Sequence, residues 1–441
     1  PTKNSDLLEK LQRRHFFSKM AVEATEPKEA PQEMCKPADI VPEEDSTDQQ
    51  TDDDSYESKY DESLVFENGG GKGFRGPFYK RSRSTARDSL GESFLAMYGI
   101  SPSSGDSVCF PSGMAAIGGT LSSLLKPSGI IVHGDELYTD VKRSIDYVCS
   151  KSPGAKSFAV DVRNSEIIVE LFEEHGESIH VFHFESCTNP SGQMIDFSIF
   201  PKLRDLAPNC TFVCDNTWLT AVLFNPLDHG ADIVVESCTK YASAGTCIGG
   251  VACGSADKMR SVREWNRVFG QFIPDTVMDL FSEQVPGMEE RVRRASQNAF
   301  TIAREMEEDI VLTQLVDRVM YPGLASHPTH DVAKTYLKRG YPGCVWFHMS
   351  ISRSRFQKKA PELSMDFKTS FGGPKCRLDP WPEGGPADKY DISDTGSEPG
   401  EVVERHGKKG GAWIRLSLGF DETVDEIIEK LHEDLSLLLV G

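Results

Sequence analysis

Short apolar runs alternate with longer amphipathic stretches from about residue 88 onward. Several of these runs are rich in β-branched and aromatic residues and have the length of buried strands. They are SVCF (107–110), IIVH (130–133), IHVFHF (179–184), TFVC (211–214) and DIVV (232–235). The segments between them are long enough for crossover helices. The pattern predicts an α/β domain with a mainly parallel sheet, in which ligands bind at the carboxyl ends of the strands.

After about residue 285 the pattern changes to a long helix followed by isolated strands. Apolar residues recur at helical spacing over 291–308, while VWFHMSIS (345–352) and WIRLSL (413–418) favour strands. The run VDEIIEKLHEDLSLLL (424–439) predicts a closing helix, and the Gly-, Pro- and charge-rich stretch 379–411 predicts a surface loop. This arrangement is typical of a second, smaller α+β domain.

Residues 21–75 have almost no apolar periodicity. Residues 21–62 hold 15 acidic and 3 basic side chains, a net charge of −12 out of −20 for the chain. Low hydrophobicity with high charge predicts a disordered acidic segment over 1–75. We therefore divide the rest into a large domain at 76–284, with an N-terminal arm at 76–87, and a small domain at 285–441.

Composition narrows the class of protein further. The acidic balance argues against nucleic acid as a partner, and no apolar run is long enough to span a bilayer. The 11 cysteines are scattered, without Cys-x-x-Cys pairs or zinc-type spacing, which predicts reduced thiols, no metal site and a cytoplasmic location. Residues 7–20 have the pattern of a basic amphipathic helix, so organelle targeting stays open as an alternative.

The main candidate for chemistry is Lys240, in Ser237-Cys238-Thr239-Lys240 directly after the strand DIVV. A lysine amine at the carboxyl end of a strand is placed to form a Schiff base with a carbonyl compound. The hydroxyl groups of Ser237 and Thr239 are suited to bind a phosphate. Taken alone, the same pattern is also typical of a surface lysine beside a turn.

Three further motifs follow predicted strands. Asp215, in Cys214-Asp215-Asn216-Thr217, is suited to keep a pyridine nitrogen protonated, although an aspartate there also caps turns. Gly113 and Met114, in PSGMAA (111–116), fit an anion site at a helix N-terminus. ESCTNP (185–190) follows the strand IHVFHF. All of these motifs are predicted to meet at one edge of the sheet.

At this point the chain resembles the Cys/Met-metabolism (transsulfuration) family of pyridoxal-phosphate enzymes. The resemblance runs from about residue 77 to 440. It is carried by PSGMAAI, ESCTNPSG, DNTWLTAVLFNPLDHGADIVVESCTKY, NAFTIA, YPGLASHPTH and IRLSLGFDETVDEIIEKL. It implies the type I, aspartate-aminotransferase-like fold, pyridoxal 5'-phosphate as cofactor, and a tetramer built as a dimer of dimers.

The resemblance also implies roles for individual residues. Lys240 would hold the cofactor covalently, with Asp215 on the ring nitrogen and Tyr138 stacked on the ring and assisting proton transfer. Further matched positions are the phosphate ligands Gly113, Met114, Ser237 and Thr239, a pair reaching a neighbouring subunit's phosphate, Tyr79 and Arg81, and the substrate-carboxylate groups Asn189, Arg415 and Cys376.

The chain departs from the family pattern near the substrate. The family's Gly-His after the lysine motif is replaced by Gly245-Thr246, and the Asn-Pro-Thr after Tyr-x-Arg by Ser84-Thr85-Ala86. The family's Leu-Tyr-Gly continues here as Thr139-Asp140. Cys376 stands where a serine is usual, with Lys375 in place of a glutamate.

These features predict β- or γ-elimination, or γ-replacement, on a sulfur amino acid or an O-activated homoserine. The motif beginning at Asp215 resembles the cystathionine β-lyase branch, whereas Gly245-Thr246-Cys247-Ile248-Gly249-Gly250 resembles the sulfhydrylase branch. The sequence leaves lyase and synthase open. The alternative from another class is a degenerate relative that acts as a scaffold or regulatory partner.

Overall fold

The computed structural model of the protein describes residues 84–381 and 411–439. The first part of the described chain alternates helices and strands. In chain order its elements are α1 (Thr85–Met97), β1 (Gly105–Phe110), α2 (Gly113–Leu124), β2 (Ile130–Gly134), α3 (Thr139–Lys151), β3 (Lys156–Val160), α4 (Ser165–His175), β4 (Ile179–Glu185), α5 (Phe200–Leu206), β5 (Thr211–Asp215), α6 (Thr220–Leu223), β6 (Ile233–Glu236), β7 (Gly250–Ser255), α7 (Ala256–Phe269) and α8 (Asp275–Gln284).

The second part begins with a long helix and then builds a separate sheet. Its elements are α9 (Met288–Glu308), α10 (Leu312–Leu315), β8 (Arg318–Met320), α11 (His330–Tyr336), β9 (Cys344–Met349), α12 (Arg353–Lys359), β10 (Asp366–Phe367), β11 (Arg377–Pro380), β12 (Ala412–Ser417) and α13 (Val424–Leu439). None of the helices in the two described ranges is long and apolar enough to cross a bilayer.

The large sheet has seven strands in the order β1-β7-β6-β5-β4-β2-β3. Strand β7 pairs antiparallel with β1 and with β6, whereas the other pairs are parallel. Strands β1, β6, β5, β4 and β2 therefore end at the same edge. Because crossover helices cover parallel sheets on both faces, β2, β4, β5 and β6 are buried along almost their whole length.

Alternate residues of each central strand pack into different cores. Val181 and Val213 face a core with α2, α3 and α7, while Phe182 and Phe212 face the opposite core. The second core contains a group of aromatic rings around Phe212, whose centroid lies 5.2–6.2 Å from those of Phe172, Phe182 and Phe200. The period-2 pattern of a strand thus fixes which face each side chain stabilises.

The small sheet has the order β10-β11-β12-β9-β8, with antiparallel pairs except for β10–β11. Helix α9 joins the two parts of the structure. Its Val292 and Ala295 are buried in the core of the large sheet, whereas Ala299 and Ile302 are buried in the core of the small one. One continuous helix therefore contributes to both cores.

The predicted fold class is confirmed, with a mainly parallel large sheet and a smaller sheet domain. Each strand and helix named from the sequence is present, and its ends are shifted by no more than three residues. The pattern did not identify β3, β7, β8, β10 and β11. Residues 382–410, most of the predicted loop, and 1–83 lie outside the described residues. The domain limits remain a prediction.

We expect Phe212→Ala to lower the free energy of unfolding by about 3–5 kcal/mol, because it empties the centre of the aromatic core. Phe269→Ala removes the same atoms from a side chain that is 62% exposed and should cost less than about 0.5 kcal/mol. Urea unfolding curves of the two variants provide the measurement. Equal losses would contradict the assignment of Phe212 to the core.

Candidate active site

The candidate residues meet at the carboxyl edge of the large sheet. Strand β4 ends at Glu185, β5 at Asp215 and β6 at Glu236, just before Ser237 and Lys240. Parallel neighbours place these strand ends side by side, with Glu185 opposite Asp215 in the register. A cavity of about 230 Å³ opens at this edge.

One wall of the cavity is the N-terminus of α2. Ser112 caps this helix, because its hydroxyl accepts the N–H of Ala115 at 3.0 Å. The N–H groups of Gly113 and Met114 belong to the first turn and have no partner within the helix. A Cβ added to Gly113 would lie 2.6 Å from the Cβ of Ser237. The helix start therefore packs directly against the Ser237 turn, which only glycine allows.

The hydroxyl groups beside this helix start complete an anion cradle. Ser237 and Thr239 both line the cavity. The backbone N–H of Ser237 donates to the hydroxyl of Thr217 at 2.8 Å, which fixes the turn. The hydroxyl of Thr239 bonds the carbonyl of Gly249 at 3.2 Å, so it must exchange that contact to reach a bound anion.

Asp215 is a half-buried carboxylate that lines the cavity. The hydroxyl and backbone N–H of Thr217 both donate to its Oδ1, at 2.6 and 2.9 Å. Burial raises the pKa of Asp215, and these hydrogen bonds and the charge of Lys240 act in the opposite direction. Oδ1 is thus fixed by Thr217, and Asp215 can hold a proton on a cationic partner in the cavity.

Lys240 is held in the cavity between a hydroxyl group and an aromatic ring. Its Nζ donates to Ser370 Oγ at 2.9 Å and lies 5.0 Å from the centre of the Phe371 ring. Burial, with the nearby positive charge of Arg415, lowers the pKa of Lys240 from 10.5 to about 8. About a tenth of the amine is therefore neutral, and nucleophilic, at pH 7, against less than about a thousandth for a lysine at the ordinary value.

The loop that carries Ser370 and Phe371 belongs to the small domain and lies on the backbone of Lys240. Gly372 in this loop has φ +78°, and a Cβ there would lie 2.8 Å from the carbonyl carbon of Lys240. A side chain would clash with backbone, which cannot move away easily. The close approach of this glycine sets the distance between the Ser370 hydroxyl and the amine.

Arg415, on β12, is 3% exposed and closes the opposite side of the cavity. Its Nη1 donates to Asn189 Oδ1 at 2.8 Å, and its Nη2 donates to Asp379 Oδ2 at 3.0 Å. Its Nε is buried without a hydrogen-bond partner among the described residues. A buried, unsatisfied donor on a guanidinium is suited to a carboxylate ligand.

The structure brings together nine of the site residues named from the sequence. They all line the cavity: Gly113, Met114, Tyr138, Asn189, Asp215, Ser237, Thr239, Lys240 and Arg415. Their roles remain predictions.

Cys376 lies elsewhere. Its side chain is buried in the core of the small domain, where its sulfur accepts the N–H of Gly419 at 3.2 Å. Geometry therefore gives no support to a substrate role for Cys376. Tyr79 and Arg81 lie outside the described residues.

Several cavity residues were given no role from the sequence, although Glu185 and Cys187 lie in the ESCTNP motif (185–190). Trp218 and Phe371 form an aromatic corner, with centroids 6.2 Å apart at 81°. Ser370 contacts the lysine amine, and Glu185 and Cys187 line the cavity below Asn189. For Glu185 the signal was available, since it follows a buried strand as Asp215 does. The position of Ser370 depends on a loop of the other domain, and sequence spacing does not reveal it.

The donor groups of this cavity fit pyridoxal phosphate. The glycine-lined helix start and adjacent hydroxyls suit the phosphate, the Asp215 carboxylate suits the ring nitrogen, and the desolvated Lys240 amine suits the aldehyde. Fold and site together define a pyridoxal-phosphate enzyme with the type I fold.

The chain belongs to the Cys/Met metabolism family of such enzymes. The model of the family described as "Cys/Met metabolism PLP-dependent enzyme" matches residues 43–436. This match begins inside the acidic segment. The family and its members place the protein among the C–S lyases and synthases of sulfur amino acid metabolism.

Relatives with different activities are about equally similar. Cystathionine beta-lyase of Lactococcus lactis subsp. cremoris (strain MG1363) is 28% identical over 360 residues, 81% of this chain and 88% of that protein. Cystathionine gamma-lyase of Dictyostelium discoideum is 30% identical over 251 residues, 56% and 62% of the two chains. Cystathionine gamma synthase from Xanthomonas oryzae pv. oryzae, solved with aminoacrylate and cysteine, shares the fold at a TM-score of 0.70 and 23% identity, covering 84% and 90%.

We expect Lys240 of the cofactor-free protein to react with trace acetic anhydride increasingly as the pH rises through about 8. The neutral amine is the nucleophile. Because the pKa of Lys240 is lowered from 10.5, its neutral form becomes abundant at a lower pH than that of an ordinary lysine. Peptide mass spectrometry across pH 6–11, roughly the interval that spans both values, measures the labelling. The exposed Lys202 is the internal control. A Lys240 profile that rises only near the ordinary lysine value would contradict the desolvated amine.

Proposed function

We propose that the protein catalyses elimination of a sulfur leaving group from a thioether amino acid, of the cystathionine or methionine class. The observation that carries this proposal is the position of two cations on one aromatic ring. Lys240 Nζ lies 5.0 Å, and the guanidinium carbon of Arg415 6.0 Å, from the centre of Phe371. An amino acid whose carboxylate binds Arg415 then presents its Cα towards Lys240.

Lys240 is the residue that would move the proton of Cα. Bound pyridoxal phosphate supplies an electron sink for the resulting charge. The Nζ atom of Lys240 has a pKa near 8, so it can accept the Cα proton and return it near neutral pH. Asp215 would hold a proton on the ring nitrogen, and Tyr138, at the cavity mouth, would assist proton transfer to the leaving group.

The cavity walls favour a thioether side chain. Trp218 and Phe371 both line the cavity with their rings nearly perpendicular, and Lys240 Nζ lies over the Phe371 ring. A thioether sulfur gains about 0.3–1.5 kcal/mol against an aromatic ring and needs no hydrogen bond. An acyl ester would bury a carbonyl oxygen there, which costs free energy if no donor meets it.

The second candidate is γ-replacement on an O-activated homoserine. It is supported by the Gly245-Thr246-Cys247-Ile248-Gly249-Gly250 segment, which resembles the sulfhydrylase branch. The exposed Ile248 in this segment is 63% accessible. Elimination and replacement share the steps at Lys240 and Arg415 and differ in the nucleophile that follows.

Assembly and location remain predictions. The resemblance implies a homo-oligomer, with a dimer of dimers as the expected form and a small amino acid as the ligand. A cytoplasmic location is expected from the free thiols, and every described cysteine is unpaired. The scaffold alternative is less well supported than an enzyme, because a scaffold does not need Lys240, Asp215 and Arg415 in one cavity.

A parallel product assay tests the proposed reaction. We expect purified holoenzyme to release a 2-oxo acid from cystathionine or methionine, and Lys240→Ala to abolish this release because no other amine occupies the position. The same assay with O-acetylhomoserine plus cysteine distinguishes γ-replacement. Product only from the O-acetylated substrate would refute the lyase and support the second candidate, and no product from any substrate would favour the scaffold.

Arg415→Lys should keep the yellow cofactor band but lower kcat/KM for every amino acid by about a hundredfold. A lysine cannot form the two parallel charged hydrogen bonds of a guanidinium, and a misplacement of about 1 Å can cost roughly 10² in rate. Steady-state kinetics normalised to bound cofactor measure the effect. An unchanged efficiency with altered thermal stability would instead mean that Arg415 only forms the ion pair with Asp379.

A further inference from the structure

We propose that Glu185 is a positioning residue that uses its two carboxylate oxygens to hold the loops of Tyr138 and Asn189 in register with each other. This inference rests on the proposed function, in which Tyr138 serves the ring and Asn189 the substrate carboxylate. It adds a residue to which neither the resemblance nor the comparisons assign a role.

The two hydrogen bonds of Glu185 reach different loops. Its Oε1 accepts the backbone N–H of Tyr138 at 2.6 Å, and its Oε2 accepts the backbone N–H of Asn189 at 2.8 Å. Tyr138 follows β2 and precedes α3, whereas Asn189 follows β4 itself. One side chain thus connects the loops after two neighbouring strands, across the edge of the sheet.

Both contacts are short. Glu185 is 5% exposed, and when its carboxyl group is ionised these are charge-assisted hydrogen bonds, which are about twice as strong as neutral ones. Tyr138 is also the residue that precedes the first turn of α3, where the helix dipole favours a negative charge. These interactions offset part of the cost of burying a second carboxylate beside Asp215.

A carboxylate is required because it has two acceptor atoms at this spacing. A glutamine has one acceptor and one amide N–H₂ group, so one of the two backbone N–H groups would face another donor. An aspartate keeps the charge but is one methylene shorter, so it cannot reach both loops from the same backbone position. Burial and the nearby Asp215 raise the pKa of Glu185, and the two backbone N–H groups oppose that rise.

The clamp has a direct consequence for the reaction. The Asn189 side chain accepts from Arg415 at 2.8 Å, so a shift of its loop moves the guanidinium that receives the substrate carboxylate. A shift of the Tyr138 loop moves the ring that covers the cofactor. Glu185 therefore fixes the distance between the substrate-binding and ring-binding parts of the cavity without itself carrying out chemistry.

Glu236 provides a matched control. It is a buried glutamate at the end of the adjacent strand β6, 2% exposed, and it does not line the cavity. It accepts the hydroxyl of Tyr98 and the backbone N–H of Ala221, so it also meets two donors, but neither donor belongs to the Tyr138 loop or the Asn189 loop. Glu236→Gln therefore tests the loss of a buried carboxylate at the same sheet edge with the two loops left in place.

The experiment compares Glu185→Gln, Glu185→Asp and Glu236→Gln holoenzymes with the wild type. Measurements are cofactor content, visible circular dichroism of the cofactor band, and kcat and KM for the best substrate. We expect both Glu185 variants to retain cofactor, to show an altered dichroic band, and to lose about a hundredfold in kcat/KM with a raised KM. Glu236→Gln should stay within about threefold of wild type, a change of less than 1 kcal/mol in transition-state binding.

Three outcomes overturn the clamp. Wild-type efficiency in Glu185→Asp would mean that the charge, and not its reach to both loops, matters. An unaltered dichroic band and rate in Glu185→Gln would remove the residue from the site, and an equal loss in Glu236→Gln would mean general damage at the sheet edge. If Glu185→Gln does not fold, Glu185→Asp decides alone.

The proposed function fails separately. It fails if wild-type holoenzyme turns over none of the amino acids offered. The dichroic comparison needs bound cofactor but no turnover, so it tests the clamp in that case too.

Discussion

The buried lysine amine at the end of β6 is the feature on which the site depends. An amine in bulk water is almost fully protonated near pH 7, and burial of Lys240 with Arg415 nearby brings its pKa down to about 8. This lowering of the pKa depends on how far the surrounding protein shields the amine from water. Parts of both domains provide that shielding. Helices α2, α3 and α7 pack against one face of the large sheet. At the edge of that sheet, the small-domain loop at Ser370–Gly372 packs against the backbone of Lys240. The packing that stabilises the fold therefore also lowers the pKa of the Lys240 amine.

Much of this arrangement could be predicted from local patterns. The strands at 130–133, 179–184 and 211–214 are buried on both faces, so each reads as a short continuous apolar run. The chemistry-bearing residues follow these runs directly, and parallel pairing brings strand ends to one edge whatever the details of the crossover helices. For this reason Asp215, Lys240 and the start of α2 could be placed together from the sequence.

Other parts could not be predicted, because non-local packing decides them. Strand β7 contains Gly250 and Gly254 and shows little alternation, and it is a strand because β1 and β6 pair with it on both sides. Ser370 is 130 residues from Lys240 in the sequence and reaches it through the close contact of Gly372 with the Lys240 backbone. Cys376 was placed at the substrate by its position relative to a family motif, but in the fold it lies just before β11 with its side chain in the core of the small domain.

The contact of Gly372 with the Lys240 backbone also bears on how this protein can be recombined with its relatives. The two domains share α9 and meet at the lysine itself, so the candidate active site does not lie within either one. A chimera that joins the large domain of one relative to the small domain of another would combine two contact surfaces that come from different proteins. The segment 369–372 would have to come from the parent that supplies Lys240, because the two pack directly against each other.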